Sequence, residues 1–235
     1  MHTPRLVAIA LIAILAACAS EPSITTPAAT AQATRTLAST ERAAVRQSAV
    51  VMWHAQQMLP AGTHNSGPVA GATAELVRTA NGISYRLSSP SLIPGHAYTL
   101  WLVVINNPAA CTATPCSAAN ITQNPATRSQ VRWAAGTVAG ASGNGTFAGA
   151  AQEGELSGWL PDRALEDASK ADVHLVVNDH GPMLPEFMPG MIHTYRAGCS
   201  NSSPFPPPFP ASALADGEPG PNTCLLYQAA VFSAP

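Results

Sequence analysis

The chain has 235 residues, 46% of them hydrophobic and only 10% charged, with 22 prolines and a formal net charge of −2. That is enough apolar content for one domain with its own core, and the scarcity of charge, against about 25% in an average soluble domain, argues against long charge-laced helices. A single lysine, Lys170, among eleven basic residues leaves no basic block to neutralise phosphates, so nucleic acid is excluded as a partner.

The opening MHTPRLVAIALIAILAACAS sets Arg5 before an apolar run from Leu6 to Ala17. The run is too short to span a bilayer and suits a cleaved export signal. Its last residues, Leu15-Ala16-Ala17-Cys18, resemble the lipobox of bacterial lipoproteins. The resemblance implies that residues 1–17 are removed and that the Cys18 thiol carries a diacylglyceryl group. An ordinary signal cut at the A-x-A-like Ala17-Cys18-Ala19 is the alternative. Acyl chains stabilising by about 0.8 kcal/mol per buried CH₂ would make the anchoring effectively permanent. Ala19 in place of Asp resembles the outer-membrane default of Gram-negative lipoproteins. The expected location is therefore extracytoplasmic, on a membrane. Residues 18–43, rich in Ala, Thr, Ser and Pro, bury too little to order themselves and read as a tether. Residues 44–235 read as a single domain.

Within AAVRQSAVVMWHAQQML, Val51 and Trp53 favour an early strand over a helix. ATAELVRT and GISYRLSS flank Asn81-Gly82, a strong hairpin signal. HAYTLWLVVIN alternates Tyr98, Leu100, Leu102 and Val104 with Thr99, Trp101, Val103 and Ile105; both faces are apolar, so this strand is expected to be central and covered on each side. VRWAAGTVAG and GTFAGAAQEGEL read as a second hairpin across ASGNG, PDRALEDASKA as a short helical turn, and VHLVV and CLLYQAAVF as the last strands. About eight strands separated by turn signals predict an all-β antiparallel sandwich with long loops.

The lipobox accounts for one of five cysteines, leaving Cys111, Cys116, Cys199 and Cys224 in an oxidising compartment. Three pairings are open, and the spacing favours Cys111 with Cys116 and Cys199 with Cys224. The chain-entropy model assigns the short loop roughly 2 kcal/mol and the long one roughly 3.5 kcal/mol. A four-thiolate zinc site is disfavoured because neither pair has C-x-x-C spacing.

GHAYTLWLVVINNPAAC followed by a second cysteine, then VHLVVNDHGP, then a late cysteine pair ahead of QAAVF, resemble a group of uncharacterised exported bacterial proteins over about residues 82–232. The resemblance implies a compact all-β extracytoplasmic domain in which His96, Trp101, Asn107, Pro108, Cys111, His174, His180, Gly181 and Pro182 belong to the shared pattern. It carries no catalytic role.

Chemistry is most concentrated in VHLVVNDHGPMLPEFMPGMIHTY, which holds three of seven histidines and three of six methionines. Read with VHLVV as a strand and the rest as a loop, Met183, Met188 and Met191 lie between His180 and His193. Cu(I) favours thioethers and Cu(II) or zinc favours imidazole, so this loop is the candidate copper or zinc site. His174 joins only if the chain turns at Asn178-Asp179, since an extended run to His180 separates the Cα atoms by about 20 Å at roughly 3.3 Å per residue. The competing reading makes His174 a strand residue and the methionines packing filler. Ser142 in GASGNG lacks the nucleophile-elbow pattern, and Glu153 with Glu155 at a hairpin end are ordinarily solvated. SPFPPPFP reads as a disulfide-closed loop with Phe205 and Phe209 packed on the sandwich. With no nucleophile–base pair in view, the expectation is a non-catalytic binding or envelope role toward an unknown protein or small ligand.

Overall fold

The computed structural model describes residues 43–54, 67–161, 163–203 and 209–235. The export signal, Cys18, the tether and the proline-rich run with Phe205 lie outside the described residues. The strands are β1 (Val45–Ala49), β2 (Met52–Trp53), β3 (Thr73–Thr79), β4 (Gly82–Ser89), β5 (His96–Ile105), β6 (Ser129–Val138), β7 (Gly145–Gln152), β8 (Gly154–Glu155), β9 (Ala164–Leu165), β10 (Asp172–Pro182) and β11 (Leu225–Phe232). Two short helices, α1 (Ala118–Gln123) and α2 (Ala211–Leu214), lie in the connections. No helix among the described residues is long and apolar enough to cross a membrane.

The strands build an antiparallel sandwich. A four-stranded sheet runs β1-β3-β4-β7, a five-stranded sheet runs β2-β11-β10-β5-β6, and β8 and β9 form a small ribbon. The Asn81-Gly82 hairpin forms as its sequence predicts, with Thr79 opposite Gly82. The expected hairpin across ASGNG does not: β6 pairs with β5 while β7 pairs with β4, so this turn carries the chain from one sheet to the other. Its physical reason is the core. Phe147 and Ala151 of β7 pack against the inner face of the five-stranded sheet, which two strands paired in one plane could not do. Within PDRALEDASKA, Ala164–Leu165 pairs with Gly154–Glu155, and the expected short helical turn follows it, the Ala171 N–H donating to the Asp167 carbonyl at 3.1 Å.

Alternation decides what each face buries. On β5, Tyr98, Leu100, Leu102 and Val104 enter the core between the sheets, and on β10 Val173, Leu175 and Val177 do the same. The other face of the same strands would ordinarily meet water, yet Trp101, Val103, Ile105 and Val131 are buried there too, in a second apolar cluster. Its cover comes from Trp159, between β8 and β9, and from two long connections, of which residues 106–128 and residues 183–203 and 209–224 are described. Each connection is held by a disulfide, Cys111–Cys116 and Cys199–Cys224, the pairing that the spacing favours.

Local chemistry shapes both covers. Ser117 caps α1 by accepting from the Asn120 N–H, with the Asn120 side chain reaching back to the cap. Thr127 hydroxyl donates to the Asn120 and Asn124 carbonyls and closes that connection. The second cover lies directly on the sheet at Gly136, where a Cβ would stand 1.9 Å from the Ile192 carbonyl oxygen. Only glycine permits that approach. Trp133 then fastens the cover, its indole N–H donating to the same carbonyl at 2.9 Å.

Candidate functional site

NDHGP is not the start of a loop. β10 continues through it to Pro182, keeping register with Thr99 and Tyr98 of β5 at Asn178 and Asp179, with a bulge between Val177 and Asn178. The reason is that both of its neighbours are strands at this depth of the sheet, so its backbone groups find partners only by staying extended. Without a turn at Asn178-Asp179, His174 and His180 stay far apart along one strand, and His174 drops out of the candidate metal set.

His180 is fully buried and hydrogen-bonded at both ring nitrogens. Because a carbonyl only accepts, Nδ1–H donates to the Ala197 oxygen at 2.9 Å. Nε2 accepts from the Thr99 hydroxyl at 3.0 Å and lies 3.2 Å from the Asn178 amide nitrogen. Thr99 in turn accepts from the Trp101 indole N–H at 2.9 Å, so the chain of bonds fixes the tautomer. Burial pushes the His180 pKa down to about 4, opposed by its bond to Ala197. Beyond it, Gly181 adopts φ +78°, and the Asn222 amide donates to the His180 and Pro182 carbonyls on either side. The His180-Gly181-Pro182 run thus has a backbone reason.

The other expected ligands are engaged elsewhere. His193 is exposed, stacks on Trp133 with ring centroids 5.0 Å apart and donates from Nδ1 to the Pro189 carbonyl. Met191 is buried and its sulfur accepts from the Leu184 N–H, Met188 packs partly buried beside it, and Met183 is exposed. Among the described residues, one group of histidine, cysteine and acidic side chains has ligand atoms close enough to share an ion: His180, Cys199 and Cys224, within 4.8 Å. Its two sulfurs are bonded to each other, which removes them as thiolate ligands. Copper or zinc at His180 would also have to displace the bonds that hold the imidazole.

His174 has the opposite surroundings. It sits mid-strand between Val103 of β5 and Val231 of β11, and its Nε2 is buried with no hydrogen-bond partner among the described residues. Burial pushes its pKa down to about 4, against a weaker opposing pull from Asp172, so the ring is neutral near pH 7. An unpaired buried nitrogen costs about 1–3 kcal/mol, which marks the position as one with a reason other than stability.

His174 also lines a pocket. A cavity of about 400 Å³ opens over the outer face of the five-stranded sheet, floored by Trp101, Val103, Val131, His174, Val176, Leu226, Ala229 and Val231. One wall is the short disulfide loop and α1, through Pro115, Cys116, Ala118, Ile121 and Thr122. An aromatic group forms another part of the lining. Trp159 lies 4.5 Å from Trp101 and 4.7 Å from Tyr195, and Tyr195 lies 5.0 Å from Phe209, all between ring centroids. The Ser212 hydroxyl of α2 donates to the Trp159 carbonyl at 2.6 Å and pins that group. His54, just after β2, completes the lining, and burial lowers its pKa. The volume falls within the range of about 300–1,000 Å³ used for small molecules, and the pattern of apolar walls with few polar groups is that of a ligand site.

Trp101 and His174 carried a sequence signal, the first through the double-faced β5 and the second through the histidine-rich stretch. Trp159, Tyr195, Phe209 and His54 carried none, because they come from separate parts of the chain and meet only over the folded sheet. No protein-family model matches the chain, and comparisons with curated proteins and with solved structures give no significant match.

Proposed function

We propose that this is an exported, membrane-anchored binding protein without catalytic activity, and that it holds a small, largely apolar molecule in the pocket over the five-stranded sheet. One observation carries the reading: a preformed cavity of about 400 Å³ over the outer face of the five-stranded sheet, with aromatic and aliphatic side chains for most of its lining. Among the described residues that line it, none is an Asp, Glu, Lys, Arg or Ser, so binding is the chemistry the lining supports. Lipid at Cys18 would keep the domain at a membrane surface, and residues 18–43 would give it reach.

Titration of the full chain with N-phenyl-1-naphthylamine, an uncharged apolar fluorophore, tests the binding half. Saturable enhancement that Ala229→Trp abolishes by filling the cavity supports it, while a signal that is absent or indifferent to Ala229→Trp removes it. Palmitate labelling tests the anchor; incorporation should disappear in Cys18→Ser, and its persistence would remove lipidation at Cys18 from the account.

A further inference from the structure

Resting on that binding reading, we infer that the pocket takes uncharged, planar ring compounds and discriminates against both ions and flexible chains of similar apolarity. The preference against ions follows from the lining. Among the described residues that form it, none is an Asp, Glu, Lys or Arg. Its two histidines add no charge at pH 7.5, because burial pushes the His174 pKa down to about 4 and lowers that of His54. Arg196, next to Tyr195 in the chain, is not part of the lining; its guanidinium donates to the Leu214 carbonyl and the Asn201 side chain. An ionised ligand therefore loses hydration on entry and meets no counter-charge.

The preference for rings follows from four aromatic residues of the lining. Trp101, Trp159, Tyr195 and Phe209 pack ring on ring, from 4.5 Å between Trp101 and Trp159 to 5.4 Å between Trp101 and Tyr195. The Trp101 indole N–H is also tied to the Thr99 hydroxyl, and the Trp159 backbone N–H to the Val131 carbonyl, both at 2.9 Å. The group is thus set before a ligand arrives, and a rigid ring joins it without either side having to be ordered. A flexible chain gives up rotor freedom on entry and gains no stacked or edge-on ring contact in return.

The probes are methyl 2-naphthoate, 2-naphthoate and methyl octanoate, each titrated by calorimetry into the full chain at pH 7.5. The two esters partition similarly between octanol and water, so they differ in rigidity rather than in apolarity; the two naphthalene compounds differ chiefly in charge. Methyl 2-naphthoate should bind at least about ten-fold more tightly than either of the others. Thr122→Lys, which adds an ammonium to the lining, should tighten 2-naphthoate by about ten-fold and change methyl 2-naphthoate by less than about three-fold. Phe209→Leu, which keeps an apolar side chain and removes one ring, should narrow the gap between the two esters by about three-fold.

Equal binding of the two esters to the parent chain overturns the preference for rings. Binding of 2-naphthoate as tightly as its ester, or no gain for 2-naphthoate in a Thr122→Lys chain that still binds the ester, overturns the preference against ions. Each of these results leaves an apolar pocket in place. Failure of all three probes overturns the inference outright, and if N-phenyl-1-naphthylamine is also indifferent to Ala229→Trp, the pocket reading goes with it.

Discussion

His174 and His180 lie on the same strand, both are buried, and burial pushes both pKa values down to about 4, yet their environments are opposites. His180 is held at both ring nitrogens by Ala197, Thr99 and Asn178, beneath the cover fastened by the Cys199–Cys224 disulfide. His174 lines a cavity, and its Nε2 has no hydrogen-bond partner among the described residues. Burial and a shifted pKa therefore do not separate a structural histidine from one placed for a ligand. The separation lies in whether the fold answers the ring's hydrogen bonds.

The sharpest way to break this contrast is to remove each ring. His180→Ala should cost about 4 kcal/mol in urea unfolding, because it opens a hole and strands the Thr99, Asn178 and Ala197 groups at once. A loss below about 1 kcal/mol would mean that the network does not hold the cover. Breaking the disulfide above it, in Cys199→Ala/Cys224→Ala, should cost about 3.5 kcal/mol by loop entropy and weaken fluorophore binding, since Phe209 sits in the loop it closes. Unchanged binding would show that the aromatic group stands without that staple.

Acid should act on both rings together. In the unfolded chain each imidazole titrates near 6.5, and in the fold each does so near 4, so between these values the unfolded state binds protons that the native state refuses. Stability is then complete above about pH 6.5 and falls as the pH drops toward 4, by up to about 3 kcal/mol per imidazole. Urea midpoints at pH 7.5, 6, 5 and 4.5 should show the decline, and His174→Phe should remove about half of it. The smallest effect belongs to His174→Phe at pH 7.5, which should lie between no change and a gain of about 1 kcal/mol, because it deletes an unpaired buried nitrogen. A loss of several kcal/mol there would make His174 a second structural histidine and erase the contrast.

Much of the sandwich was legible. The Asn81-Gly82 turn announced its hairpin, and β5 announced itself as central by being apolar on both faces. Two short-range pairings accounted for all four cysteines of the described residues. What failed, failed for non-local reasons. ASGNG looks like a hairpin turn because turn chemistry is local, but whether its flanking strands share a sheet depends on where Phe147 finds a core. NDHGP looks like a loop because of its glycine and proline, while its extended course depends on β5 and β11 standing on either side.

The same division holds for the site. Alternation along β5 and β10, read from the sequence alone, already required that Trp101 and Val103 be covered, since the period of two leaves no other place for an apolar face. Which of seven histidines would face a cavity could not be read there. That was decided when the two disulfide-held connections folded onto the sheet, bringing a carbonyl to His180 and leaving open space above His174, because hydrogen-bond satisfaction depends on partners contributed from distant parts of the chain.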